Sequence, residues 1–127
     1  MARPALLRSE RGLTESAQYA VILPLLLLVT LGIIQAGVWL HGHNVAARAA
    51  SAAVDVARGS FGSTAEAQEQ AADLATAGGL LDVRVSVTRG AGRVAAAVSA
   101  RAPVIFPVGL GRISETATAP LERVTPP

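Results

Sequence analysis

The chain is 127 residues long, 51% hydrophobic and only 3% aromatic, with a formal net charge of +2. That length holds one small domain with extensions rather than two domains. Every cationic side chain apart from the two histidines is an arginine, and the arginines are scattered singly, so the footprint of a nucleic-acid binder is missing. With no cysteine, disulfides, thiol chemistry and cysteine metal sites are excluded.

Between Ser16 and Leu40 the only ionisable side chain is the phenol of Tyr19. As a helix, these roughly 25 residues reach about 37 Å, enough for a bilayer core with some tilt. Helix is the state expected of a lone span, because hydrocarbon offers unpaired peptide groups no partner. Tyr19 and Trp39 lie near its two ends, where amphipathic rings favour headgroups, and Gln35 is its one strongly polar side chain. Pro24 removes a backbone hydrogen bond and predicts a bend or a local loosening. Gly32, Ala36 and Gly37 thin one part of the span and offer a face on which a second helix can approach closely.

Arg3, Arg8 and Arg11 precede the span, which predicts an N-terminus in the cytoplasm and a C-terminal part outside. A secretory signal cleaved near Ala36 is the competing reading, but the apolar run is too long for a signal core.

The pattern continues past the span. In Asn44 to Arg58, Val45, Ala49, Ala52, Ala53 and Val56 share one helical face, while Arg48, Asp55 and Arg58 cluster elsewhere. One long helix is therefore expected from about Thr14 to Arg58, loosened at His41 to Asn44 and ended by Gly59. A second helix follows, capped by Ser63 or Thr64, striped with Ala67, Ala71, Leu74 and Ala75, and stopped by Gly78-Gly79.

Leu80 to Arg89 alternates valines with polar residues, Gly90 to Gly92 turns, and Arg93 to Ala102 returns with Val94, Ala96, Val98 and Ala100 on one face. This is a β-hairpin. Pro103 to Gly111 is an apolar loop broken by proline and glycine, and Arg112 to Val124 is a third strand ending near Pro120. The fold class is α+β: a long N-terminal transmembrane helix extending into a stem, a short second helix, and a small three-stranded antiparallel sheet. A hairpin alone is marginal in water, so the sheet is expected to lie against the helix. The organisation read from these signals is a basic leader at 1–12, a span at 13–40, a helical extension at 41–59 and a small domain at 60–127.

His41 and His43 stand two apart, so on a helix they face different ways and make a polar collar rather than a metal site. No nucleophile with a base, phosphate loop or carboxylate pair is apparent. The chain reads as a non-enzyme with no cofactor.

The order of features in Arg11 to Gly37, "RGLTESAQYAVILPLLLLVTLGIIQAG", resembles the N-terminus of TadE-like proteins, pseudopilin-related minor components of Tad (Flp-type) pilus assembly. The resemblance rests on a basic leader ending in Arg11-Gly12, a following glutamate, the Leu23-Pro24 step and the later "GIIQAG". It covers about the first third of the chain, and beyond that only the layout agrees. It implies cleavage by a prepilin peptidase between Gly12 and Leu13, a pilin-like fold, a single-pass protein of the bacterial cytoplasmic membrane, and packing among other pilin-like subunits. In pilins a glutamate five residues past the cut pairs with a neighbouring subunit's N-terminus. Here the fifth residue is Ala17, so that role falls to Glu15 or Gln18. A membrane-tethered accessory protein that is never cleaved, and binds an exported protein or the cell wall, is the alternative.

Overall fold

The computed structural model describes residues 3–59, 61–105 and 111–121, with side chains from residue 11 onward. It contains α1 (Arg3–Arg58), α2 (Thr64–Ala77), β1 (Leu81–Gly90), β2 (Arg93–Arg101) and β3 (Arg112–Pro120). The α+β arrangement expected from the sequence is the one observed. The chain forms two compact units, Met1–Ile34 and Gln35–Pro127.

In the first unit the helix assignment runs through Pro24 without a break. Proline leaves the carbonyl one turn earlier, on Ala20, without its usual donor. Further on, Thr30 Oγ1 donates to the Leu26 carbonyl at 2.8 Å, a back-bond that satisfies the hydroxyl within the helix. From Leu13 to Ile34 the leucines, isoleucines and valines are exposed apart from the half-buried Leu31, and Leu23, Leu27 and Ile33 each show 60% or more of their surface.

The second unit carries the core. Its sheet has the order β1-β2-β3, antiparallel throughout. The central strand β2 buries Val94, Ala96, Val98 and Ala100, the alternation read from the sequence. Gly90 pairs with Arg93 across a two-residue turn in which Ala91 (φ 50°) and Gly92 (φ 78°) both have positive φ. That is the turn whose twist matches the strands, and glycine fits its second place without a steric cost. Asp82 also has positive φ (49°), at a register shift between Leu81 and Arg84 that makes a β-bulge.

Ser63 caps α2 by accepting from the Glu66 N–H at 3.0 Å, and Gly78 ends it with its N–H on the Leu74 carbonyl. Ala67, Ala71 and Ala75 are buried as expected, whereas Leu74 stays half exposed.

Two expectations for α1 need correction. The helix is continuous through His41 to Asn44, because both histidines find partners and Gly42 is buried there. The buried face is also rotated: Ala46, Ala49, Ala50, Ala53, Val54 and Ala57 face the core, and Val45, Ala52 and Val56 sit at its margin. Alanine takes the innermost places because the smallest side chains let the sheet and α2 approach the helix backbone. Val45 and Val56 are displaced to the edge, while Val54 stays in the core.

Candidate functional site

The first group of candidate residues lies along α1. Gly12, Leu13, Glu15 and Gln18 are consecutive parts of one helix, all exposed. Glu15 and Gln18 are three apart and share a face, so either can meet one external group. Gly32, Ala36 and Gly37 are exposed too, and a Cβ built on Gly12, Gly32 or Gly37 meets nothing within 4 Å. The helix carrying them is long and apolar enough to cross a membrane, and its apolar window is only 6% buried. A core helix of a water-soluble protein passes the same length test but is mostly buried, whereas this apolar stretch is bare, as a signal sequence near an N-terminus also is.

The second group forms the foot of the second unit, where α1 meets the ends of the strands. Gln35 is its anchor and is only 3% exposed. Its Oε1 accepts from the Ile105 N–H at 2.8 Å, and its Nε2 donates to the Pro103 carbonyl at 3.4 Å. A primary amide carries a donor and an acceptor side by side, so it pairs with backbone as another strand does. The segment after β2 is thereby tied to the helix without a regular element of its own. Sequence reading placed Gln35 inside the span as an isolated polar group. Its partners lie about seventy residues away, and no local pattern announces them.

One turn above, Trp39 and His43 stack edge to face, with ring centroids 4.2 Å apart and an interplanar angle of 69°. His43 Nδ1 lies 2.6 Å from Glu115 Oε1 on β3. The carboxylate accepts, so Nδ1 donates, and the buried Nε2 finds no hydrogen-bond partner among the described residues. His41 Nε2 is 3.3 Å from the Gly78 carbonyl, which can only accept, so this nitrogen carries its proton. The two histidines thus hold opposite sides of the helix, one to the end of α2 and the other to β3. They do not converge on a common ligand, and no three His, Asp or Glu side chains gather among the described residues.

Gly42 lies between them. A Cβ there would collide with Ile113 and crowd Leu80 and Ala102, so the residue marks where the sheet rests on the helix.

Residues 16–55 match the family model described as TadE-like protein. That segment is TadE-like. The match spans the bare apolar helix, Gln35, the histidines and most of the buried alanine face. Gln18, Gly32, Ala36 and Gly37 lie within the TadE-like segment, while Gly12, Leu13 and Glu15 precede it. No curated protein and no solved structure matches the chain. The TadE-like match and the exposed helix fit a membrane-anchored, pilin-like protein.

Replacing Gln35 by leucine should destabilise the second unit by about 1–3 kcal/mol, since the Ile105 N–H and Pro103 carbonyl then lose their partner. Hydrogen exchange at the Ile105 amide checks this. Unchanged protection in the variant would remove Gln35 from the role given to it here.

Proposed function

We propose that the chain is a TadE-like minor pilin, a single-pass structural component of Tad-type pilus assembly in the bacterial cytoplasmic membrane. The observation that carries this reading is the exposed apolar helix inside a TadE-like match. Leu25, Leu26, Leu27, Leu28 and Val29 are each more than half exposed, and such a surface is stable only when lipid or other helices cover it. The stretch 16–34 gives about 28 Å of helix, the thickness of a hydrocarbon core, and 13–40 gives about 42 Å, the thickness with headgroups. Trp39 then falls at headgroup level. The three leader arginines favour an N-terminus inside and the second unit outside.

In this reading a prepilin peptidase cuts between Gly12 and Leu13. Glu15 or Gln18 then offers its oxygen to the new N-terminal ammonium of a neighbouring pilin-like subunit, whose unpaired charge is costly in lipid. Gly32, Ala36 and Gly37 give that neighbour's helix a place of close approach.

The uncleaved membrane-tethered accessory is the second reading. It draws on the match beginning at Ser16, after the cut site, and on Ala17 at the pilin glutamate's place.

The intact mass of the protein extracted from membranes separates the two. Loss of Met1 to Gly12 supports the pilin, and Gly12→Trp should then abolish that loss. A full-length mass in cells with an active prepilin peptidase leaves the accessory.

A further inference from the structure

The outer face of the sheet carries a feature that neither pilus assembly nor the core requires. In the pairing register Arg84, Ser99 and Ser114 form one rung across the three strands, and Arg101 and Arg112 form the next rung on the same face. Together with Asp82 they line an open cavity of about 760 Å³. Asp82 lies 3.5 Å from Arg101, but among the described residues no carboxylate pairs with Arg84 or Arg112. Three guanidinium groups against one carboxylate leave the cavity positive, with two hydroxyls between them.

Its position narrows the partner. These rungs lie at the end of the sheet where Gln35 holds Pro103 and Ile105, and where Gly42 lies against Ile113, Leu80 and Ala102. The other end of the sheet sits at the top of α1, where Arg89 donates to the Gly62 and Gly59 carbonyls. The arginines therefore belong to the end of the second unit that holds Gln35 and Gly42, and Leu40 between those two is the last residue of the apolar run. From Gln35 to Gly42 the helix rises about 10 Å, comparable with one Debye length at physiological salt.

We propose that this cavity binds the phosphate of an anionic phospholipid headgroup, resting on the membrane anchoring set out above and going beyond it. A guanidinium fork matches phosphate oxygens two at a time, and Ser99 and Ser114 supply further donors. Zwitterionic lipid presents the same phosphate beside a compensating cation, so the positive cavity discriminates by net charge. Asp82 opposes the ligand and holds Arg101. Its positive φ suits aspartate or asparagine, so Asp82→Asn removes the charge while keeping the bulge.

The test reconstitutes the full-length chain in phosphatidylcholine nanodiscs with and without phosphatidylglycerol. Lipid retained after disc release is then read by native mass spectrometry. Phosphatidylglycerol should be retained over phosphatidylcholine. Each arginine near an anionic surface contributes about fivefold, so Arg84→Gln with Arg112→Gln should cut the preference more than about tenfold. Asp82→Asn should raise it by up to about fivefold. Insertion with no preference, or a preference that survives the double substitution, overturns the lipid site and leaves the anchor standing. A chain that enters neither disc overturns the anchor, and this inference with it. A double variant that loses soluble polyphosphate binding but keeps its lipid preference assigns the cavity to a soluble anion and ends the lipid proposal.

Discussion

Replacing Ile113 by alanine is expected to destabilise the second unit by about 2–5 kcal/mol. Ile113 is the largest of the fully buried side chains, and most of the core around it is alanine. The cost of a deleted side chain depends on whether neighbours move into the space. Leu80, which meets Ile113 beside Gly42, can rotate toward the void, whereas Ala102 and the alanines of α1 have no rotamers to offer. The result should therefore fall in the upper half of the range. It should appear as faster hydrogen exchange across β2, whose amides pair with β3 through the rung Ala100–Ile113. A loss below about 1 kcal/mol would show that the core does not depend on this residue in the way its burial indicates.

The strands and the cap of α2 were legible because their signals are local. Valines at Val83, Val85 and Val87 alternate with polar residues, Gly92 supplies the second turn position, and Ser63 stands before a helix with Glu66 in its first turn. The rotated face of α1 was not legible, for a reason particular to alanine. In "NVAARAASAAVDVAR" nearly every position is small or weakly apolar, so hydrophobic periodicity has little contrast. Close approach then decides the face instead of hydrophobicity, and it selects Ala46, Ala50 and Ala57 over Val45 and Val56.

The foot of the second unit was hidden for a different reason. Gln35 and His43 are paired with residues about seventy positions away, so their roles exist only once the chain has folded. Read locally, one was a polar blemish in a greasy helix and the other half of an H-x-H pair. Both lie inside the TadE-like segment, which therefore includes the exposed apolar helix and also groups that tie the second unit's own stretch of α1 to its sheet. The cationic rungs were invisible for the same cause, since Arg84, Arg101 and Arg112 meet only through strand pairing.

Gly62→Ala should be the most damaging of the single-methyl additions, and Gly59→Ala, three residues earlier, should be nearly silent. Gly62 lies in the tight connection between α1 and α2, its N–H on the Gly59 carbonyl at 3.0 Å and its carbonyl receiving Arg89 at 2.7 Å. A Cβ at Gly62 would overlap the Val56 carbonyl oxygen and stand 3.2 Å from Ala57 Cα. These are backbone atoms inside a helix and cannot rotate aside, so the connection itself must move and take the Arg89 bond with it. A loss of about 3 kcal/mol follows from overpacking of this kind. At Gly59 the nearest atom to a new Cβ is the Val56 oxygen at 3.6 Å, an ordinary contact. For a domain of this size each kcal/mol lowers the midpoint by roughly 4–8 °C. Thermal unfolding of the full-length chain in detergent should therefore show a drop above about 10 °C for Gly62→Ala and little change for Gly59→Ala. Equal shifts in the two variants would mean that the end of α1 is not held against this connection by Arg89 and the Gly59–Gly62 bond.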